Sequence, residues 1–285
     1  MVVAQQGKLA TSTDLRNWTE RSTHWTPADD IHNVRFGNGV FVATGTDQSG
    51  NSQHVAVSPD GVTWTPRSVG IQAAAFGPLH YSQRLNLWFV SGRLENQSVL
   101  LSSPDLAAWT PHDTGFGTDP IISITEGNGV LMISGGSEKI GISEAGASWT
   151  VRQLHHSAEN VNDIDKVRFF DGVFVAIMHP DASTVYRSTD GESWTPVPTG
   201  WPPREPSCIV WNCPDGPGGW VSIAQRDDGV IIATGVRGKM MLSRDLGRSW
   251  VRLSSPVTTN LNGVASDGSR FVAGGNDGAL LISSE

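Results

Sequence analysis

The sequence predicts an all-β chain folded as a single β-propeller over residues 1–285, and two repeated phrases carry that prediction. The first opens on serine and closes on tryptophan. Its first three copies are Ser12-Thr-Asp14-Leu-Arg-Asn-Trp18, Ser58-Pro-Asp60-Gly61-Val-Thr-Trp64 and Ser103-Pro-Asp105-Leu-Ala-Ala-Trp109. The next three are Ser143-Glu-Ala145-Gly146-Ala-Ser-Trp149, Ser188-Thr-Asp190-Gly191-Glu-Ser-Trp194 and Ser243-Arg-Asp245-Leu-Gly247-Arg-Ser-Trp250. A seventh serine, Ser283, opens a copy that the sequence does not finish. Successive serines lie 46, 45, 40, 45, 55 and 40 residues apart, which is the period of a four-stranded propeller blade.

The second phrase is a turn followed by a short apolar run. It appears as Phe36-Gly37-Asn38-Gly39-Val40-Phe41-Val42-Ala43, as Asn128-Gly129-Val130-Leu131-Met132 and as Asp171-Gly172-Val173-Phe174-Val175-Ala176. Asp228-Gly229 and Asp267-Gly268 open two more. Asn-Gly and Asp-Gly suit a type I′ hairpin turn, whose two central residues both need positive φ. The apolar runs are too short for helices and rich in Val, Phe and Ile, so they read as strands.

Each unit therefore parses into four antiparallel strands, A to D. In the second unit A covers about 33–37, B 40–45, C 53–58 and D 63–68. Asn38-Gly39 turns A into B, and the serine-to-tryptophan box turns C into D. In the box, serine and aspartate side chains can bond backbone groups of their own turn, and Gly61 can take the left-handed conformation. The ring of Trp64 then enters strand D for burial between sheets. Asp14, Trp18, Asp60, Trp64, Asp105, Trp109, Trp149, Asp190, Trp194, Asp245 and Trp250 are accordingly read as structural box residues. Ala145 stands where the other complete boxes have aspartate, a replacement that a catalytic or metal-binding box would not tolerate.

The end units are partial. Residues 1–22 supply B (Val2–Gln5), C (Lys8–Ser12) and D (Trp18–Arg21) without an A, while 261–285 supply A, B and C without a D. Merging them into one blade would duplicate B and C. Seven blades therefore fit better than six with an irregular seam. Either arrangement leaves a strand edge that must be covered or shared with another chain.

Composition narrows the partners. The net charge of −8 and a pI near 5.4, with no basic stripe, argue against a nucleic-acid backbone. No apolar run reaches the ~20 residues of a membrane helix, so no membrane insertion is expected. The opening Met-Val-Val-Ala-Gln-Gln-Gly has neither a basic start nor a long apolar segment, so folding in a cytoplasm without a secretory signal is expected. Cys208 and Cys213 sit in one loop with no His-x-x-His pattern beside them. A small disulfide and two thiols both stay open, a zinc site is not expected, and no cofactor is.

Binding is expected on the face shared by the D-to-A loops and the B-to-C turns, because the variable loops lie there. Those loops cover 22–31, 68–74, 112–120, 154–164, 197–218 and 254–261. Their candidate binding residues are His24 and Trp25 in the first, His155 and His156 in the fourth, and Trp201, Arg204 and Trp211 in the fifth. The proline-rich loop with Trp201 and Trp211 would suit a protein or a sugar, unless the rings fold back onto the blade. His155 and His156 point opposite ways in an extended segment, so one metal can rarely use both.

The boxes resemble the Asp-box (BNR) repeats of sialidases and of many non-enzymatic propellers. Ser243-Arg-Asp245-Leu-Gly247-Arg-Ser-Trp250 matches the usual spacing, and the other complete copies are one residue shorter. Gly-Asn-Gly-Val-Phe-Val-Ala followed by Ser-Pro-Asp-Gly-Val-Thr-Trp is similar to the short-box propellers of bacteriophage tail and bacterial surface proteins. A sialidase would need an arginine cluster, an Arg-Ile-Pro motif and a Tyr–Glu nucleophile pair. The motif is absent, and neither Tyr81 nor Tyr186 matches the pattern, so no catalytic residue is carried over. The resemblance implies a non-catalytic structural or recognition part of a multi-subunit assembly, with a virion tail as first choice and protein or cell-surface glycan as partner. A carbohydrate-processing enzyme and a cytoplasmic assembly factor are the alternatives.

Overall fold

Both residues of Asn38-Gly39, Asn128-Gly129 and Asp171-Gly172 take positive φ, so each apolar run folds straight back on the strand before it. A computed structural model of the chain describes residues 2–5, 8–22, 30–46, 53–69, 76–154, 163–203 and 219–284. The chain divides into two compact units, one formed by 1–124 with 143–151 and the other by 125–142 with 152–285. Among the described residues no helix is long and apolar enough to cross a membrane.

The first unit opens with a three-stranded sheet of β1 (Val2–Gln5), β2 (Lys8–Thr11) and β3 (Thr19–Arg21). A four-stranded meander follows: β4 (Asp30–Gly37), β5 (Val40–Thr46), β6 (Gln53–Ser58) and β7 (Thr65–Arg67). The next is β8 (Leu79–Ser82), β9 (Leu87–Leu94), β10 (Gln97–Ser103) and β11 (Thr110–Asp113). The division between the units runs through the fourth sheet, β12 (Ile121–Gly127), β13 (Val130–Gly135), β14 (Lys139–Ser143) and β15 (Thr150–Gln153). The second unit holds β16 (Asp163–Phe170), β17 (Val173–His179), β18 (Thr184–Ser188) and β19 (Thr195–Pro198). It continues with β20 (Trp220–Gln225), β21 (Ile231–Gly235), β22 (Met240–Ser243) and β23 (Val251–Leu253), then a three-stranded sheet of β24 (Leu261–Ser266), β25 (Phe271–Gly275) and β26 (Leu280–Ile282).

Seven four-stranded blades are not what these strands make. The 26 strands of the described residues are enough for six four-stranded blades with two strands over, which matches the six-blade alternative with an irregular seam. Five sheets are complete; the first lacks strand A and the last lacks D. The repeat count overstated the number because its first and last copies each belong to a sheet of three strands, so two of the seven counts are not full blades.

Turn type departs from expectation at two hairpins. Gln225 pairs with Ile231, and Arg226 N–H donates to Val230 O, so three residues make that turn and Gly229 has its positive φ without Asp228. The Asp228 carboxylate instead accepts two bonds from the Arg226 guanidinium, at 3.1 and 2.6 Å. Asp267 likewise accepts the Ser269 and Arg270 N–H groups, leaving Gly268 to take positive φ. Local carboxylate bonding outcompetes the two-residue turn here.

The box works as a hydrogen-bonded clamp. Ser58 Oγ donates to Asp60 at 3.0 Å and accepts the Gly61 N–H at 2.8 Å. Asp60 then accepts the N–H groups of Val62 and Thr63, and the Trp64 indole donates to Gly61 O. Equivalent serine and aspartate bonds close the boxes of Asp14, Asp105 and Asp190, and the indole bond recurs at Trp18 and Trp194. With its extra residue, the sixth box moves the donors on by one: Ser243 Oγ accepts the Gly247 N–H and Asp245 accepts the Ser249 N–H. Leu15 and Leu106 hold the left-handed conformation that glycine holds elsewhere, a strain of about 1–2 kcal/mol offset by burial of both side chains. The tryptophan lies just before strand D, not within it. Trp64 shares a core with Leu9 and Ile31, and Trp109 shares one with Val42 and Val55. In the second unit Trp194 packs with Met132 and Ile140, and Trp250 with Val175 and Val185.

Two further devices repeat. Strand A carries a β-bulge between Ile31 and Asn33, Ile164 and Lys166, Trp220 and Ser222, and Leu261 and Gly263. The bulge residues are His32, Asp165, Val221 and Asn262. In addition, the first glycine of Gly-Asn-Gly is a floor for an aromatic ring from the next sheet. A Cβ on Gly37 would lie 2.5 Å from the Tyr81 Cβ, and one on Gly127 would collide with the Phe169 ring.

Replacing Gly37 with alanine should cost about 1–3 kcal/mol through overlap with Tyr81. Gly39→Ala should cost about 1–2 kcal/mol through its positive φ alone. Chemical unfolding of both in a Tyr81→Gly background, which removes the Cβ as well as the ring, separates the causes, because only the Gly37 penalty should disappear there. A second expectation concerns acid. Backbone bonds from Ser193 and Glu192 hold Asp190 down to about 2, below the ordinary carboxylate. Its contribution is therefore complete above the ordinary carboxylate range and is lost as pH falls through about 2. Asp190→Asn should lower the thermal midpoint at neutral pH, with the gap to the parent closing as pH is lowered from about 4 toward 2.

Candidate functional site

The first residues past β19 build the most distinctive polar surface of the second unit. Thr199 donates its hydroxyl to Ala182 O at 2.6 Å and accepts the Trp201 N–H at 3.2 Å. Gly200, at φ +78, reverses the chain between them. The turn lays Trp201 edge-on against Trp220, with ring centroids 6.2 Å apart and planes at 78°. Trp220 is wholly buried and donates its indole N–H to the same Ala182 O at 3.1 Å.

Two cations meet the Trp201 ring. The Arg252 guanidinium on β23 lies 4.4 Å from its centroid, and the Lys239 ammonium, before β22, lies 5.1 Å away. Burial pushes Lys239 down to about 8, and Arg237 adds to the shift. Arg252 is exposed. A guanidinium held over an indole face by cation–π attraction spends none of its N–H donors on the ring, so they can grip a carboxylate with two parallel bonds.

The structure thus brings Trp201 of a D-to-A loop beside Lys239 of a B-to-C turn. Trp201 folds back onto its blade and packs against the core of Val175, Trp220 and Met241, while offering its ring to the two cations. His24, Trp25, His155, His156, Arg204 and Trp211 lie outside the described residues, as do Cys208 and Cys213. Sequence reasoning missed Arg252, Lys239 and Trp220. The signal available was Arg237-Gly238-Lys239, a basic pair in an acidic chain, one blade along from the tryptophan loop.

Other constellations have plain structural roles. The Tyr186 phenol is pushed up by burial, and Glu138 and Asp181 push it further; a nucleophilic phenolate needs the opposite shift. Tyr81 donates to Asn86 at 2.7 Å within its own hairpin. Ser102 Oγ lies 2.8 Å from His112 Nε2 across β10 and β11, and burial lowers the His112 imidazole toward its neutral form. Burial raises Asp165 at its bulge, as does Asp163, while Lys166 and His179 oppose the rise. Among the described residues no group of three or more His, Cys, Asp or Glu is placed to hold a metal.

No protein-family model matches the sequence, and no curated protein does. Solved structures match along almost its whole length. One described as YCF48 bound to D1 peptide has 14% identity and a TM-score of 0.67, over 99% of this chain and 87% of its own. A chain of the Mitotic Checkpoint Complex has 11% identity and a TM-score of 0.70, over 99% and 82%. The computationally designed Ika8 protein has 9% identity and a TM-score of 0.60, over 100% and 82%. At these identities the likeness is one of fold, and the fold is a β-propeller with four-stranded antiparallel blades.

Proposed function

We propose that this chain is a non-catalytic interaction propeller, a structural or recognition component of a larger protein assembly, and that the assembly is the tail of a bacteriophage virion. The observation that carries the interaction reading is the Arg252 guanidinium stacked at 4.4 Å on Trp201, an open, oriented donor set in a chain of net charge −8. Such a patch favours a partner segment with carboxylates, since like-charged surfaces elsewhere on the chain repel it. Two propellers of similar fold support protein as the partner class: one is described as bound to a D1 peptide, the other belongs to a checkpoint complex. The virion reading rests on the short-box resemblance, and it makes the Trp201 loop a contact with a neighbouring subunit.

Electron microscopy of native phage particles with an antibody to this chain tests the assembly. Label confined to the tail supports it, and label absent from purified particles that hold the gene rejects it. Cross-linking mass spectrometry on the same particles should join the Lys239 region to an acidic segment of a neighbour. Arg252→Ala and Trp201→Ala should each weaken incorporation about 5- to 30-fold, as loss of a charged anchor or its stacking partner does at an interface. Incorporation should also fall as pH rises past about 8, where Lys239 loses its proton.

A further inference from the structure

Two turns of this chain are chemically identical and differently held. Gly37-Asn38-Gly39-Val40 and Gly127-Asn128-Gly129-Val130 have the same residues, and each joins strand A to strand B of its sheet. Their backbones agree, with φ at +46 and +48 for the asparagines and +76 and +82 for the glycines that follow. Both asparagines are exposed, and a Cβ on Gly39 or Gly129 would meet nothing within 4 Å. Their side-chain amides differ. Asn128 Nδ2 donates to Gly172 O at 3.1 Å and to Thr189 O at 2.7 Å, both in turns of the next sheet. The sheet after Asn38 has another shape there, with four residues between Ser82 and Leu87 where Asp171-Gly172 makes a turn of two. That turn is closed on itself: the Tyr81 hydroxyl donates to Asn86, and the Leu85 N–H donates to Ser82 Oγ. Among the described residues, which include all strands and turns of that third sheet, nothing accepts from Asn38 Nδ2. The remaining Asn-Gly pair, Asn262-Gly263, lies inside β24, where Asn262 donates to Asn276 Oδ1 at 2.7 Å.

We propose that Asn38 is a site of spontaneous deamidation, and that two hydrogen bonds hold Asn128 out of the same reaction. The Gly39 nitrogen gives its proton to hydroxide and attacks Asn38 Cγ, an approach that glycine leaves unobstructed. The N–Cγ bond forms, the Cγ–Nδ2 bond breaks, and Nδ2 takes a proton from water and leaves as ammonia. Water then opens the cyclic imide. Cleavage of the N–Cγ bond gives aspartate, and cleavage between that nitrogen and the main-chain carbonyl carbon gives isoaspartate. Ring closure must swing the side chain onto the glycine nitrogen. At Asn128 that movement first breaks both amide bonds, which slows it about 10- to 30-fold. The products act differently on the fold. Aspartate suits the turn, as Asp171-Gly172 shows with positive φ at both residues. Isoaspartate adds a methylene to the main chain beside Gly37, whose bare backbone receives the Tyr81 ring. The modification therefore loosens the contact between the second and third sheets.

The full chain, held in mildly alkaline buffer and sampled over time, is digested and mapped by mass spectrometry, with isoaspartate read by enzymatic carboxyl methylation. In the folded chain Asn38 should deamidate about 10- to 30-fold faster than Asn128. In denaturant the two rates should agree, because the local sequences are the same. Equal rates in the folded chain, a faster Asn128, or no reaction at Asn38 while the denatured chain reacts overturns the proposal. Asn38→Asp separates charge from main-chain lengthening. Aged chain enriched in isoaspartate should unfold at lower denaturant than this variant, and unfolding at the same concentration overturns the effect on the two sheets. The reaction needs no partner, so no outcome bears on the Trp201 contact.

Discussion

A serine hydroxyl with its back to the core and its lone pairs on a turn is what every outer hairpin of this chain depends on. Ser12, Ser58, Ser103, Ser143, Ser188 and Ser243 are buried, and each accepts a backbone N–H three or four residues on. A buried hydroxyl without that bond would carry a desolvation penalty of about 1–3 kcal/mol, so the turn has one low-energy shape. The aspartate tightens that shape and is not its foundation. At Ala145 the carboxylate is missing, yet Ser143 still takes the Gly146 N–H at 2.8 Å. The left-handed residue after the aspartate follows from the same geometry. Glycine fills it without strain, and leucine fills it where the side chain finds a core.

Sheet-to-sheet contact depends on a second rule, large against small. Gly37 receives Tyr81 and Gly127 receives Phe169. In the fifth sheet Phe170 stands at the glycine position and is itself buried among Trp220, Ile223 and Ile231. Polar bonds reinforce this packing in the second unit. Asn128 reaches Gly172 O and Thr189 O, Gln225 reaches Asp171, and Arg187 reaches Leu246 O. These bonds join hairpin turns and boxes, so in the second unit the side that carries the repeated phrases is also the side that is fastened.

The strands and boxes were legible because their determinants are local: a dipeptide, an alternating run, a hydroxyl three residues from its donor. Lys8–Thr11 and Thr19–Arg21 lie within a residue of where spacing puts them. Determinants that cross between strands or blades were not legible. The turn at Asp228 depends on Arg226 grasping its carboxylate, a choice the Asp-Gly dipeptide does not encode. Bulges at His32 and Asp165 follow from how strand A meets strand B, and nothing in a hydrophobic pattern marks them. The candidate site was half legible. Trp201 stood out as a tryptophan outside the boxes, but Arg252 lies 51 residues further on, and only the fold shows that the two stack.

The same division explains where recognition can evolve in this chain. A box residue has its bonding capacity consumed by its own turn: Asp60 accepts from Ser58, Val62 and Thr63, leaving little for a ligand. Backbone bonding holds the box carboxylates ionised well into acid, so they neither shuttle protons nor change charge in the neutral range. Arg252 is different, because stacking orients it without using its donors. Lys239, pushed down to about 8 by burial, sits where a modest change of environment alters its charge. Spent bonding on the box side makes that side a scaffold, whereas Arg252 over the Trp201 ring keeps donors for the partner contact proposed above.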